Sequence, residues 1–194
     1  QSRWPALQGP HNAQNVAAAV AVARALGIAD EVTGRALETF HSLPHRMELI
    51  GEKKGVLFVN DSKATNPTAT APALAGFENI RWICGGQAKS DSLDECAPHF
   101  GHVRKAYTIG EAGELFAGLL SPHMPVERCE MLCEAVKRAL AAAKDGDVVL
   151  LSPACASFDQ FSDYEARGEA FRQIVEGLTG GEAPEAGFAG RSAA

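Results

Sequence analysis

From residue 56 to residue 178, short apolar runs rich in β-favouring side chains alternate with segments of helical composition. No other feature restricts the fold as much. Strands separated by helices pair in parallel, and their sheet is covered by helices on both faces. The predicted strands are Val56–Asn60, Ile80–Cys84, Lys105–Ile109, Pro125–Glu127 and Val148–Ser152. The predicted helices are Thr68–Ala75, Leu93–Phe100, Glu111–Leu120, Met131–Lys144 and Glu165–Leu178. One pair breaks the alternation. Met47–Ile50 and Val56–Asn60 flank Gly51-Glu52-Lys53-Lys54-Gly55, a hairpin signal. The expected class is therefore α/β, a mostly parallel sheet with one antiparallel edge strand supplied by an N-terminal hairpin.

Residues 1–43 read differently. Val16 to Leu26 is apolar nearly all round, is preceded by His11-Asn12-Ala13-Gln14-Asn15, and ends at Gly27. Helices of that kind are buried on several sides. A second helix is predicted over Asp30 to Phe40, and two helices cannot bury the first. Residues 1–43 therefore read as the tail of a domain whose beginning lies elsewhere, with a boundary at Leu43-Pro44. Residues 179–194 are rich in Gly, Ala, Glu and Pro with one aromatic, and are expected to be disordered.

Composition removes several classes of function. A net charge of −6 implies no strongly basic face and argues against nucleic acid as the main partner, while an anionic ligand needs only local positive charge. No apolar run reaches the roughly 18 residues of a membrane span. Five cysteines form an odd set without metal-ligand spacing, since Cys129 and Cys133 lack a matching pair. Reduced thiols in a cytoplasmic protein fit best.

The chemistry gathers at three predicted strand ends, which open on one edge of a parallel sheet. The first is Asn60-Asp61-Ser62-Lys63-Ala64-Thr65-Asn66, with a carboxylate, two hydroxyls, an ammonium and two amides. The second is Gly85-Gly86-Gln87-Ala88-Lys89-Ser90, where glycines admit close backbone approach. It is not a P-loop, because Ile83 and Ala88 stand where G-x-x-x-x-G-K-[ST] needs Gly. Lys89 reads equally as ligand-facing or as a solvated lysine. The third runs from Ser152 to Tyr164; in it Ser157 can donate to a carboxylate, Cys155 reads as a buried structural thiol, and Asp159 as a helix cap. Arg46, at the boundary, suits either bidentate phosphate binding or a salt bridge across a hinge. Asn12 and Asn15 share one face of the first helix and suit either capping or purine recognition.

These blocks, in this order, resemble the Mur ligases, and among them the D-glutamate-adding branch. The likeness rests on Gly9-Pro10-His11-Asn12-Ala13-Gln14-Asn15, on Leu43-Pro44-His45-Arg46-Met47-Glu48, on the residues 60–66, on Gly85-Gly86 with Lys89, and on Leu151-Ser152-Pro153-Ala154-Cys155-Ala156-Ser157-Phe158-Asp159-Gln160-Phe161. The resemblance implies that residues 1–43 end a central ATPase domain and that 44–178 form a Rossmann-like C-terminal domain. The family's P-loop, carbamylated lysine and magnesium ligands would lie upstream, so no metal site is expected in this chain. It implies ATP and Mg2+ as cofactors, UDP-N-acetylmuramoyl-L-alanine and D-glutamate as substrates, a cytoplasmic monomer, and no activity for this chain alone. Asn12 and Asn15 would lie near adenine, Arg46 on phosphates, and Asp61 on the ribose hydroxyls. Thr65, Lys89 and Ser157 would hold the carboxylates of D-glutamate, with Phe158 and Tyr164 walling the pocket and Lys63 pointing into it. Gln87 and Ala88 depart from the Asp and Gly frequent in relatives, and Tyr164 from the Phe of some. Two rivals remain open: another amide ligase of the superfamily, such as a folylpolyglutamate synthase, and a non-catalytic nucleotide-binding domain. A dehydrogenase is disfavoured because no G-x-G-x-x-G follows a strand.

Overall fold

The computed structural model describes residues 4, 7, 10–40 and 43–180, and only the backbone at residues 10 and 11. The chain divides into two compact units between Leu43 and Pro44. In the first, α1 (Pro10–Ala25) and α2 (Asp30–Glu38) are joined through Gly27 at φ +76°. A two-pronged contact closes the turn, Arg24 Nε and Nη2 each donating to Asp30 at 2.8 Å. As expected of two helices alone, α1 is not buried on several sides. Val16 is buried, whereas Val22 is 60% exposed and Leu26 is also open. Two short helices present too little surface to cover an all-round apolar one.

The second unit contains one six-stranded sheet in the order β1-β2-β6-β3-β4-β5. The strands are β1 (Glu48–Lys53), β2 (Val56–Asn60), β3 (Ile80–Gly85), β4 (Val103–Ile109), β5 (Val126–Glu130) and β6 (Val148–Leu151). The β1–β2 pair is antiparallel and every other pair is parallel. The helices are α3 (Pro67–Gly76), α4 (Gly113–Leu120), α5 (Leu132–Ala142) and α6 (Tyr164–Thr179). Phe58, Ile83, Tyr107 and Leu151 from the strands meet Val136, Phe171 and Val175 from α5 and α6 in one core. β2 and β6, in the middle of the order, are buried at every residue. That explains the unbroken apolar runs Val56–Val59 and Val148–Leu151.

Several sequence expectations are corrected. A helix predicted over 93–100 is instead a 3-10 turn at Ala97–His102. Ser90 and Ser92 side chains accept the N–H groups of Ser92 and Asp94, which competes with helix formation just upstream. Helix α4 starts at Gly113 rather than Glu111, and the Glu111 N–H donates to Asp159 Oδ2 at 3.0 Å. Asp159 therefore braces a loop and does not cap a helix. The cap of α6 is Asp163, which accepts from Ala166 N at 2.6 Å. Helix α6 extends through Thr179 and closes on Gly180 at φ +77°. The start of the expected disordered tail is thus helical, and residues 181–194 lie outside the described residues.

Candidate functional site

The parallel arrangement of β2, β6 and β3 brings their C-terminal loops to one edge, side by side. Three sets of hydrogen bonds then fix these loops to one another. Gly85 N donates to Pro153 O at 2.9 Å, while Gln87 and Ala156 exchange backbone bonds of 2.9 Å each way. The loop bearing Lys89 is therefore paired directly with the loop bearing Ser157. Gly85 and Gly86 sit at φ +119° and +126°, a region L side chains rarely adopt. A Cβ on Gly86 would also drive into the Ala156 carbonyl and stand 3.2 Å from Arg167 Nη1. The glycine pair is there for loop-against-loop approach.

Arg167, on α6, ties the β2 loop to the β6 loop. It is 1% exposed. Its Nε donates to Ser62 Oγ at 3.0 Å and its Nη2 to Ser62 O at 2.9 Å and Cys155 O at 3.0 Å. Nη1 reaches Ala156 O at 3.2 Å. All four acceptors are neutral oxygens, and burial pulls the guanidinium down to about 10. Sequence reasoning missed this residue. The available signal was its place on the buried stripe Arg167, Gly168, Phe171, Val175, where a charged side chain needs a reason to be.

The six polar residues from the last position of β2 to Asn66 divide by task. Asn60 is buried: its Nδ2 contacts His45 Nδ1 at 3.0 Å and donates to Gly168 O at 3.1 Å, and its Oδ1 accepts from Ser62 N at 3.2 Å. Asn66 caps α3 by accepting from Ala69 N at 2.9 Å. Ser62 Oγ donates to Tyr164 O at 2.8 Å. These three are structural. Lys63 and Thr65 are half-buried at the rim. Lys63 lies 3.7 Å over the Tyr164 ring.

Asp61 is 6% exposed, and both of its oxygens are engaged. Oδ1 accepts from Met47 N at 3.2 Å and Oδ2 from Ser152 Oγ at 2.7 Å. A hydroxyl carries one proton, so the 3.1 Å contact between Ser152 Oγ and Thr70 Oγ1 is donated by Thr70. Burial pushes the Asp61 carboxyl up to about 7, opposed by these bonds and by Arg46 nearby. The charge of Arg46 reaches both Asp61 and Tyr164 and favours their ionised forms.

Of the residues expected around D-glutamate, Ser157 is 2% exposed at the joint with Gln87, and Lys89 is exposed but within electrostatic reach of Cys155. Phe158 is 66% exposed. Asn12 is half-buried and Asn15 exposed, both on α1 of the other unit. The five cysteines are unpaired thiols, four of them buried. Burial pushes Cys96 and Cys155 up to about 12, which leaves them unreactive. Among the described residues no cluster of His, Cys, Asp or Glu could hold a metal ion, and no helix is long and apolar enough to cross a membrane.

Known proteins resemble this chain along most of its length. A UDP-N-acetylmuramoylalanine–D-glutamate ligase of Novosphingobium aromaticivorans is 66% identical over 178 residues, which are 92% of this chain and 40% of that protein. A protein of the same name from Zymomonas mobilis is 57% identical over 179 residues, 92% of this chain and 41% of its own length. The chain thus spans about two fifths of the curated relatives it matches. Among solved structures, a Thermotoga maritima UDP-N-acetylmuramate–alanine ligase superposes with a TM-score of 0.64 at 18% identity, covering 88% of this chain and 39% of that one. E. coli FolC with ADP bound gives 0.62 at 19% identity, covering 89% and 41%. At such identities the likeness is one of fold. The family model described as the Mur ligase glutamate ligase domain matches residues 45–155, and the chain belongs to the Mur ligase family.

Proposed function

We propose that this chain is the amino-acid-binding part of a cytoplasmic, ATP-dependent amide ligase that adds D-glutamate to UDP-N-acetylmuramoyl-L-alanine. Residues 1–43 would close the central ATPase domain, and 44–178 would be the C-terminal domain. The observation that carries the reading is the joining of three polar loops at one sheet edge, with Thr65, Lys89 and Ser157 one on each. An ammonium and two hydroxyls make a sound clamp for a small acid. The names of the similar ligases of Novosphingobium and Zymomonas supply the substrate.

In this reading ATP converts the muramoyl-alanine carboxylate to an acyl phosphate with release of ADP. The amine of D-glutamate attacks the acyl carbon, a tetrahedral intermediate forms, and phosphate leaves as the amide bond is completed. The residues of this chain hold and orient the attacking amine rather than activate it. Asn12 and Asn15 are assigned to adenine, Arg46 to phosphate and Asp61 to ribose. Asp61 can take that role only with lone pairs left over from Met47 N–H and the Ser152 hydroxyl. Mg2+ would neutralise phosphate charge; no residue of this chain is assigned to it. The working protein is taken to be a monomer, and this chain alone is expected to be inactive.

Calorimetry of D-glutamate binding to the full-length protein tests the clamp. Loss of one charge-assisted hydrogen bond in Lys89→Ala is expected to weaken binding on the order of 10- to 150-fold. Unchanged affinity removes Lys89 from the site. Turnover with L-glutamate, L-alanine or diaminopimelate in preference to D-glutamate would overturn the substrate assignment.

A further inference from the structure

Lys63 is held in a way that leaves its charge available. Its Nζ stands 3.7 Å from the centroid of the Tyr164 ring. Among the described residues it forms no ion pair, unlike Lys105, which has both the Tyr107 ring at 5.2 Å and the Glu127 carboxylate at 2.5 Å. The difference matters chemically. A carboxylate partner cancels an ammonium, whereas a ring face attracts it through its quadrupole and leaves the full positive charge for a third group.

The pairing is built in from the backbone outward. Lys63 N donates to His45 O at 3.0 Å, which fixes the root of the side chain. Ser62 Oγ donates to Tyr164 O at 2.8 Å, which fixes the start of α6 against the same loop. Asp163 caps that helix one residue earlier. The His45 ring meets the Tyr164 ring edge-on, with centroids 6.2 Å apart and planes at 78°. The tyrosine ring is therefore oriented on two sides, and the flexible lysine stem settles on its face.

An amino diacid brings two carboxylates, and one exposed ammonium at Lys89 answers only one of them. We infer that Tyr164 is a positioning residue whose ring presents the uncancelled Lys63 ammonium as the second cation of a dicarboxylate site. The inference rests on the D-glutamate reading above and adds to it what Tyr164 does. Neighbouring Glu165 raises the Tyr164 phenol above its ordinary value, so the ring stays neutral at physiological pH. The hydroxyl itself has no part in the pairing, and Phe should serve as well.

The test uses the full-length protein with position 164 varied. The ε-methylene protons of Lys63 should be displaced upfield by the ring current in wild type and in Tyr164→Phe, and should return to the ordinary lysine position in Tyr164→Leu. The KM for D-glutamate should rise two- to fivefold in Tyr164→Leu, with kcat within twofold. Phenylalanines of increasing ring fluorination at 164 keep the shape and weaken the quadrupole, so KM should climb along that series even if the leucine variant folds poorly. Undisplaced Lys63 resonances in wild type, or a KM flat across the fluorinated series, would overturn the inference. If wild type does not use D-glutamate at all, the functional reading fails and carries this one with it. A flat KM series with D-glutamate turnover intact overturns this inference alone and leaves the functional reading standing.

Discussion

Arg167→Met tests whether the rim is held together by one buried cation. The guanidinium makes four contacts, to Ser62 Oγ, Ser62 O, Cys155 O and Ala156 O. Ala156 O keeps the Gln87 N–H at 2.9 Å, and Ser62 Oγ keeps its bond to Tyr164 O. The carbonyls of Ser62 and Cys155 lose the donors that Arg167 supplies. An unsatisfied buried acceptor costs about 1–3 kcal/mol, so two cost about 2–6. Against this stands the desolvation of the guanidinium, visible in its depressed pKa of about 10. An apolar side chain of similar volume recovers part of it. The net expectation is a loss of about 2–4 kcal/mol, a large share of the roughly 5–15 kcal/mol that stabilises an ordinary domain.

Urea unfolding of the purified chain reads this directly, as a lower midpoint at unchanged slope. Amide exchange locates it: the Gln87 and Ala156 N–H groups, which pair the two loops, should exchange faster in the variant than those of β2 or β6. Arg167→Lys should fall between, since one ammonium cannot span four acceptors in a plane. A midpoint shift worth under about 0.5 kcal/mol, with Gln87 and Ala156 still protected, would refute the idea that Arg167 sets the loop geometry.

Three further perturbations follow from single contacts. Asp61 has its folded pKa raised from 3.8 to about 7, so its contribution to stability is fully present below 3.8 and is lost as pH rises through 7. Asp61→Asn should flatten the fall in stability between pH 4 and 7 and be the more stable form at pH 8, with on the order of 4 kcal/mol as the ceiling; a variant less stable than wild type at pH 8 by thermal melting would contradict this. Gly168→Ala places a methyl group inside the His45 ring, which Asn60 holds at 3.0 Å, and should cost about 1–3 kcal/mol by urea titration; a neutral result means that His45 moves freely. Asp163→Ala removes the cap of α6 and should cost about 1 kcal/mol in the same assay, with Asp163→Asn nearly neutral.

The fold was legible because it follows from periodicity. A strand buried on both faces must be apolar along its length, and Val56–Val59 and Val148–Leu151 are, with Asn60 buried at the end of β2 only because its amide is hydrogen-bonded. The strand order could not be read, because β6 inserts between β2 and β3 on account of packing across the whole sheet. Boundaries failed where side chains compete for backbone groups: Ser90 and Ser92 displaced a helix start, and Asp159 claimed the Glu111 N–H. All three competitors are short polar residues whose partners lie two to 48 positions away, and only the nearer kind leaves a trace in sequence.

At the candidate site the same division decides what each polar residue is free to do. Asn60, Ser62 and Asn66 look equal to Lys63 and Thr65 in sequence, yet their side-chain groups are occupied in holding His45, Tyr164 and α3. What sorts them is the partner each one meets. A donor already paired inside the protein has little left for a ligand. Lys63 is the informative case: its partner is a ring, which fixes its position without using up its charge. The buried Arg167 and the rim Lys63 are thus two uses of positive charge against neutral acceptors. Arg167 is desolvated and satisfied, so it can only hold loops. Lys63 is half-exposed and uncancelled, so it is the one that can answer an anion.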